Sequence, residues 1–144
     1  MFWKSIVVFA LLFISGCSTD NQIPENVLVR ARASYEEGVL LVKQKDYEAA
    51  IPRLTDAINN GALANTEIVN SLLMRAKSYL FTQNSNLALE DINTVMRGVE
   101  ETAQIAEAHA MKSLYLKKSG ELPKADAEFQ KAQSIDPNVK AVTQ

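Results

Sequence analysis

Apolar residues recur at helical spacing along most of this chain, and short polar breaks divide them into segments. Three segments share one signature: Ala50-Leu54-Ala57, Ala88-Ile92-Val95 and Ala125-Phe129-Ala132. Spacing of i, i+4, i+7 places each trio on one face of a helix. A small residue, a larger one a turn later and another without long reach make a narrow seat for a neighbouring helix. Just upstream of each trio lies a break: Lys45-Asp46-Tyr47, Asn84-Ser85-Asn86 and Gly120-Glu121-Leu122. Another apolar-periodic segment precedes each break, so the unit is helix, short turn, helix. Such a unit repeated three times predicts an all-α solenoid, an architecture used chiefly as a binding surface.

Local signals set the helix bounds. The first helix starts near Pro24, a residue suited to the first turn, and runs to about Gln44. Asp46 is positioned to cap the second, Tyr47 to about Asn60, with Gly61 closing it. Pro52 interrupts that helix and removes one backbone donor, so a bend or a missing bond is expected there. The third runs from Asn65 or Thr66 to about Thr82, and the fourth from about Ser85 to Arg97 or Gly98. The fifth runs from near Thr102 to Gly120. The sixth spans roughly Pro123 to Ile135 and stops at Asp136-Pro137.

The N-terminus has a different character. Lys4 precedes a nine-residue apolar run, Ile6 to Ile14, followed by Ser15-Gly16-Cys17. About 20 apolar residues are needed to span a bilayer, so this run is short for a membrane helix. It reads as a secretory signal peptide of residues 1–16 rather than a buried N-terminal helix. Cys17 is the sole cysteine, so no disulfide can form within the chain. The stretch Ile14-Ser15-Gly16-Cys17 resembles the lipobox of bacterial lipoproteins. That resemblance implies a diacylglycerol thioether at Cys17, cleavage before it and acylation of the new amine. Ser18 rather than Asp after the cysteine implies the outer membrane, facing the periplasm, in a host with two membranes. Residues 17–23 then form the lipidated cysteine and a polar tether of at most about 3.5 Å per residue. The folded domain is expected over residues 24–144.

From Ala31 onward the units resemble tetratricopeptide repeats. The last, Ser113…Gly120…Ala125…Phe129…Ala132…Pro137, carries every diagnostic spacing. The second matches through Ala76, Tyr79, Ala88, Ile92 and Val95, the first through Gly38, Tyr47, Ala50, Leu54 and Ala57. Unit bounds of about 31–64, 69–101 and 106–139 follow. The resemblance implies paired antiparallel helices stacked in a right-handed superhelix. Repeats here begin 38 and then 37 residues apart, against about 34 in the family. Longer second helices or loops are therefore expected around Gly61–Thr66 and Gly98–Thr102. Glu37 and Lys112 stand where the family places a large apolar residue, which suggests rotated first helices. No room remains after Pro137 for a full closing helix, so the apolar face of the last pair (Phe129, Leu122, Ile135) is expected partly open. Only Val139–Val142 would cover it.

By the same resemblance, the first helices line a concave groove. Its expected walls are Arg32, Tyr35, Val39, Val42 and Lys43; then Asn70, Leu73, Lys77, Leu80 and Phe81; then Glu107, Ala110, Leu114, Lys117 and Lys118. Five basic residues against one acid would suit an extended or helical peptide bearing carboxylates. Equally, Val39, Leu73, Leu80 and Leu114 could be core and the lysines merely solvated. The Lys/Asn set with which some members clamp a C-terminal carboxylate is replaced by Tyr35, Val39, Met74, Glu107 and Met111, which disfavours chaperone-tail binding.

Composition narrows the chemistry. The 144 residues carry 15 basic and 17 acidic side chains, net −2, with no long basic run, so no nucleic-acid partner is expected. One His and one Cys leave no ligand set for zinc, haem or iron–sulfur groups, and no cofactor is expected. His109 reads as a packing or surface residue. Adjacent acids such as Glu36-Glu37 and Glu90-Asp91 point to different sides of a helix, and no catalytic motif appears. The expected function is a non-enzymatic, membrane-tethered adaptor that binds a protein or peptide of the cell envelope. It would assist assembly of a pilus, secretion or cell-wall complex. The alternative is a structural lipoprotein that forms homo-oligomers through its uncapped C-terminal end.

Overall fold

A computed structural model describes residues 23–98 and 102–143. The expected signal peptide, Cys17 and most of the tether lie outside the described residues. Six helices follow in order: α1 (Glu25–Lys43), α2 (Tyr47–Asn60), α3 (Asn65–Phe81), α4 (Ser85–Gly98), α5 (Thr102–Lys118) and α6 (Leu122–Ile135). No strand occurs among the described residues.

The bounds follow from local chemistry. Asp46 accepts a hydrogen bond from the Ala49 amide at 3.3 Å and so satisfies one of the orphan donors that open α2. Gly61 closes α2 at φ 62°, in the left-handed region where a Cβ is disfavoured. Pro52 sits on the solvent side of α2, and the helix continues past it without interruption. At the start of α3, Ala64 offers no side-chain cap, and the Glu67 carboxylate instead accepts from the Ala64 amide at 3.1 Å.

Each short turn folds its helix back on the previous one, giving the hairpins α1/α2, α3/α4 and α5/α6. The hairpins stack in chain order, through α2 on α3 and α4 on α5. Contacts also join α1 to α3 and α3 to α5, whereas none joins the second helices to one another among the described residues. The first helices therefore form the inner, closer-spaced wall and the second helices the outer one. The extra length of the repeat lies in residues 61–64 and in first helices of 17 to 19 residues, for the second helices are all 14 residues long.

The trios read from the sequence are the packing seats. Ala50, Leu54, Ala57, Ala88, Ile92, Ala125 and Ala132 are fully buried, and Val95 nearly so. The largest cluster joins α3, α4 and α5 through residues such as Leu73, Leu80, Ile92 and Met111. Gly38 shows how tightly the first seat is filled. A Cβ built there would stand 2.7 Å from both Cγ and Cδ2 of Leu54, which only a glycine avoids.

Glu37 and Lys112 are accommodated by ion pairs rather than by apolar contact. Glu37 meets Arg53 at 3.1 Å, Arg75 meets Asp91 at 2.8 Å, and Lys112 meets Glu128 at 3.3 Å. All three pairs link the two helices of one hairpin across sixteen residues, at one repeat position, with the charge order reversed in the first. The outer pair is half exposed and contributes little. The central pair is enclosed: the Arg75 guanidinium donates twice to Asp91, at 2.9 and 2.8 Å, and once to Thr55 Oγ1 at 3.0 Å. Bidentate geometry and a third acceptor satisfy charges that burial would otherwise penalise.

Residues 136–143 cover the last hairpin only in part. Ala141 and Val142 border Phe129 of α6 as expected, whereas Leu122 remains 58% exposed. After the Asp136-Pro137 turn they pass onto the concave side, where Val142 rests against the central core cluster.

Candidate functional site

The concave side carries two adjoining hollows. One, of about 400 Å³, is bounded by Lys77 of α3, by Ala103, Glu107 and Met111 of α5, and by residues of the C-terminal segment. The other, of about 420 Å³, lies between α1 and α3 and has Val42, Met74 and Met111 as its apolar surface. Lys43, Lys45 and Lys77 edge it, with Glu107 opposite. Met74 is the half-buried part of that floor, with an unbranched side chain that adapts to varied occupants, while Met111 is 1% exposed and belongs to the core behind it.

One end of this groove is fixed by aromatic contacts among three helices. The rings of Tyr47 and Phe81 stack at 5.0 Å between centroids, and the Lys118 ammonium sits 5.4 Å from the Phe81 ring. The other end is tied by polar bridges between the first helices. Arg32 of α1 pairs with Glu67 of α3 at 3.3 Å, and Gln104 of α5 donates to Asn70 of α3 at 3.0 Å.

Electrostatics within the groove are mixed. Glu107 stands above the ordinary carboxylate range because the surrounding walls strip water from its charged form, and Lys77 offsets part of that rise. Behind the groove, His109 Nδ1 lies 2.7 Å from Glu128. Burial pushes the Glu128 carboxyl up, but hydrogen bonds from His109, Lys131 and Lys112 and the Lys112 charge outweigh it and hold Glu128 low. His109 thus braces α5 against α6 and does not face the groove hollows. Among the described residues no three His, Cys, Asp or Glu side chains converge as a metal site would require.

The structure sorts the residues expected to line the groove. Lys43, Val42, Lys77 and Glu107 come together at its centre, and Phe81 and Lys118 at the aromatic end. Leu114 and Lys117 border a small hollow shared with the C-terminal segment. Leu73 is corrected: it is 1% exposed and belongs to the core, as does Leu80, because α4 and α5 close over that edge of α3. Tyr35 packs half-buried against the cluster of Ala31 and Ala57, while Val39 is half-buried and borders neither central hollow. Arg32 and Asn70 are engaged in the bridges between helices. Lys45, Tyr47 and the C-terminal segment were not anticipated as lining residues. Tyr47 carried a signal, since it opens α2 beside the turn that faces the next hairpin.

Residues 106–139 match the tetratricopeptide repeat model, over the bounds that the spacing predicts for the third unit. No curated protein and no solved structure matches the chain significantly. Among the described residues no helix is long and apolar enough to cross a membrane. The first two hairpins share with the third its second-helix length, its packing trio and its ion-pair position. The chain is an all-α solenoid of tetratricopeptide-like hairpins, an architecture that typically serves as a non-catalytic scaffold for protein–protein binding.

Proposed function

We propose that this protein is a lipid-tethered, non-catalytic adaptor of the bacterial cell envelope, anchored at Cys17 and recruiting a protein partner through its concave groove. The observation that carries the reading is the groove itself: Met74 over the buried Val42 and Met111, edged by Lys43, Lys45 and Lys77 with Glu107 among them. Apolar centres with cationic borders suit a peptide segment that carries both aliphatic and acidic side chains. The sequence Ile14-Ser15-Gly16-Cys17 supports the anchor, and two or more acyl chains, each methylene contributing about 0.8 kcal/mol, would hold it stably. The setting would be assembly of a pilus, secretion or cell-wall complex, at the periplasmic side of an outer membrane if the host has two membranes.

Two measurements test this. Crosslinked capture from solubilised envelopes should recover one partner with the parent chain and lose it with Lys77→Glu plus Phe81→Ala. Equal recovery by both removes the groove from the function. Radiolabelled palmitate should enter the parent and not Cys17→Ser, and labelling of both would remove the anchor. A second reading, self-association through the last hairpin, draws on the exposed Leu122. Light scattering decides it, because a monomer at high concentration excludes that reading.

A further inference from the structure

Residues 139–143 all border the hollow of Lys77, Glu107 and Met111, and parts of the segment reach its two neighbours. Val139 and Lys140 border the hollow of Lys77, Glu107 and Met111. Val142 shares a smaller one with Ala110, Leu114 and Lys117 of α5 and Phe129 of α6. Thr143 reaches the space beside Lys43 and Met74. The segment so borders α3, α5 and α6 and, at Thr143, the hollow edged by α1, and it crosses the concave side where a peptide in the groove would lie.

Its grip is slight. The turn before it is closed by the Asn138 amide donating to Asp136 Oδ1 at 2.9 Å and the Val139 amide donating to the Asp136 carbonyl at 3.1 Å. Beyond that turn, no hydrogen bond joins 140–143 to the groove wall among the described residues. Two half-buried valines supply the contact. As a free peptide the segment would bind weakly, with a Kd on the order of 0.1 mM. The covalent turn, however, keeps the segment at an effective concentration on the order of millimolar, enough to seat even a poor ligand.

We propose that residues 139–143 are a built-in competitor that occupies the groove until a partner segment displaces them. The proposal rests on the reading of the groove as a ligand site. A groove open in about a tenth of molecules would weaken apparent ligand affinity about tenfold, which gives the contact a regulatory effect without any catalytic role.

The test uses a fluorescein-labelled synthetic peptide of residues 136–144, titrated by anisotropy into the full chain purified in detergent. The parent is compared with the full chain carrying Val139→Ser and Val142→Ser. The variant should bind the peptide about tenfold more tightly, because its own segment no longer competes. Equal affinity, or binding to neither protein, overturns the proposal. A second measurement does not depend on how that variant folds. The full chain with Cys17→Ser and Thr143→Cys, labelled at Thr143→Cys with a polarity-sensitive dye, should shift its emission to the red when excess unlabelled peptide displaces the segment. Unchanged emission would also overturn the proposal. Success here with failed capture from envelopes would leave the intramolecular contact standing and remove only the adaptor reading.

Discussion

Gly38→Ala separates helix propensity from packing in a single methyl group. In an unencumbered helix interior the change stabilises by about 1 kcal/mol. Here the new Cβ would stand 2.7 Å from Cγ and Cδ2 of Leu54. Leu54 is fully buried in a cluster with Val42, Tyr47 and Ala50, so it has no vacant rotamer to swing into. Overpacking of this kind costs about 1–3 kcal/mol. Set against the propensity gain, this leaves a net loss of up to about 2 kcal/mol. For a domain of this size that lowers the melting temperature by up to about 8 °C, read by far-UV circular dichroism on the chain from Ser18 onward. Gly98→Ala is the control, since nothing lies within 4 Å of a Cβ there and its melting temperature should hold or rise. In the Gly38→Ala background, Leu54→Ala should cost less than in the parent, because the freed volume takes up the methyl group. A rise of several degrees for Gly38→Ala, equal to that of Gly98→Ala, would refute the close approach of α1 to α2.

Three further outcomes follow from the charged side chains. Arg75→Met leaves Asp91 enclosed without its counter-charge and should destabilise by about 3–5 kcal/mol in urea unfolding, while Arg75→Met with Asp91→Leu should recover most of that loss. Glu128 has a folded pKa below its unfolded value, so it stabilises the fold fully above about pH 4.3, and that contribution fades as pH falls through the lower folded value. Glu128→Gln should therefore be less stable at pH 7 by about 2 kcal/mol in urea unfolding and lose less stability than the parent between about pH 5 and 3. Because Lys77 restrains the rise of the Glu107 carboxyl, Lys77→Met should move the Glu107 titration to higher pH by NMR, and an unmoved curve would separate the two side chains.

Much of the scaffold is local and so was legible in the residues themselves. Asp46, Gly61 and Pro24 set helix ends through bonds that span three or four residues, and the observed bounds agree within two. The trios named the buried face of each second helix, because helical periodicity needs no knowledge of what lies opposite. Depth along the first helices was another matter. Leu73, Lys77 and Leu80 share one stripe of α3, yet only Lys77 reaches the groove, because α4 and α5 arrive over the leucines from residues far along the chain. The adjacent acids Glu90-Asp91 read as a solvated pair, but folding encloses Asp91 against Arg75, at the repeat position that Glu37 and Lys112 share.

By itself the sequence determined six helices, their pairing into hairpins and the small-to-large seats that let the hairpins nest. Tertiary structure alone decided which first-helix residues face the groove, which charges are enclosed, and that the segment after Pro137 turns inward onto α5 and α3. The division is one of range. Caps, turns and periodicity act within a turn or two of helix, whereas burial and ion pairing depend on neighbours that only the stacked hairpins supply.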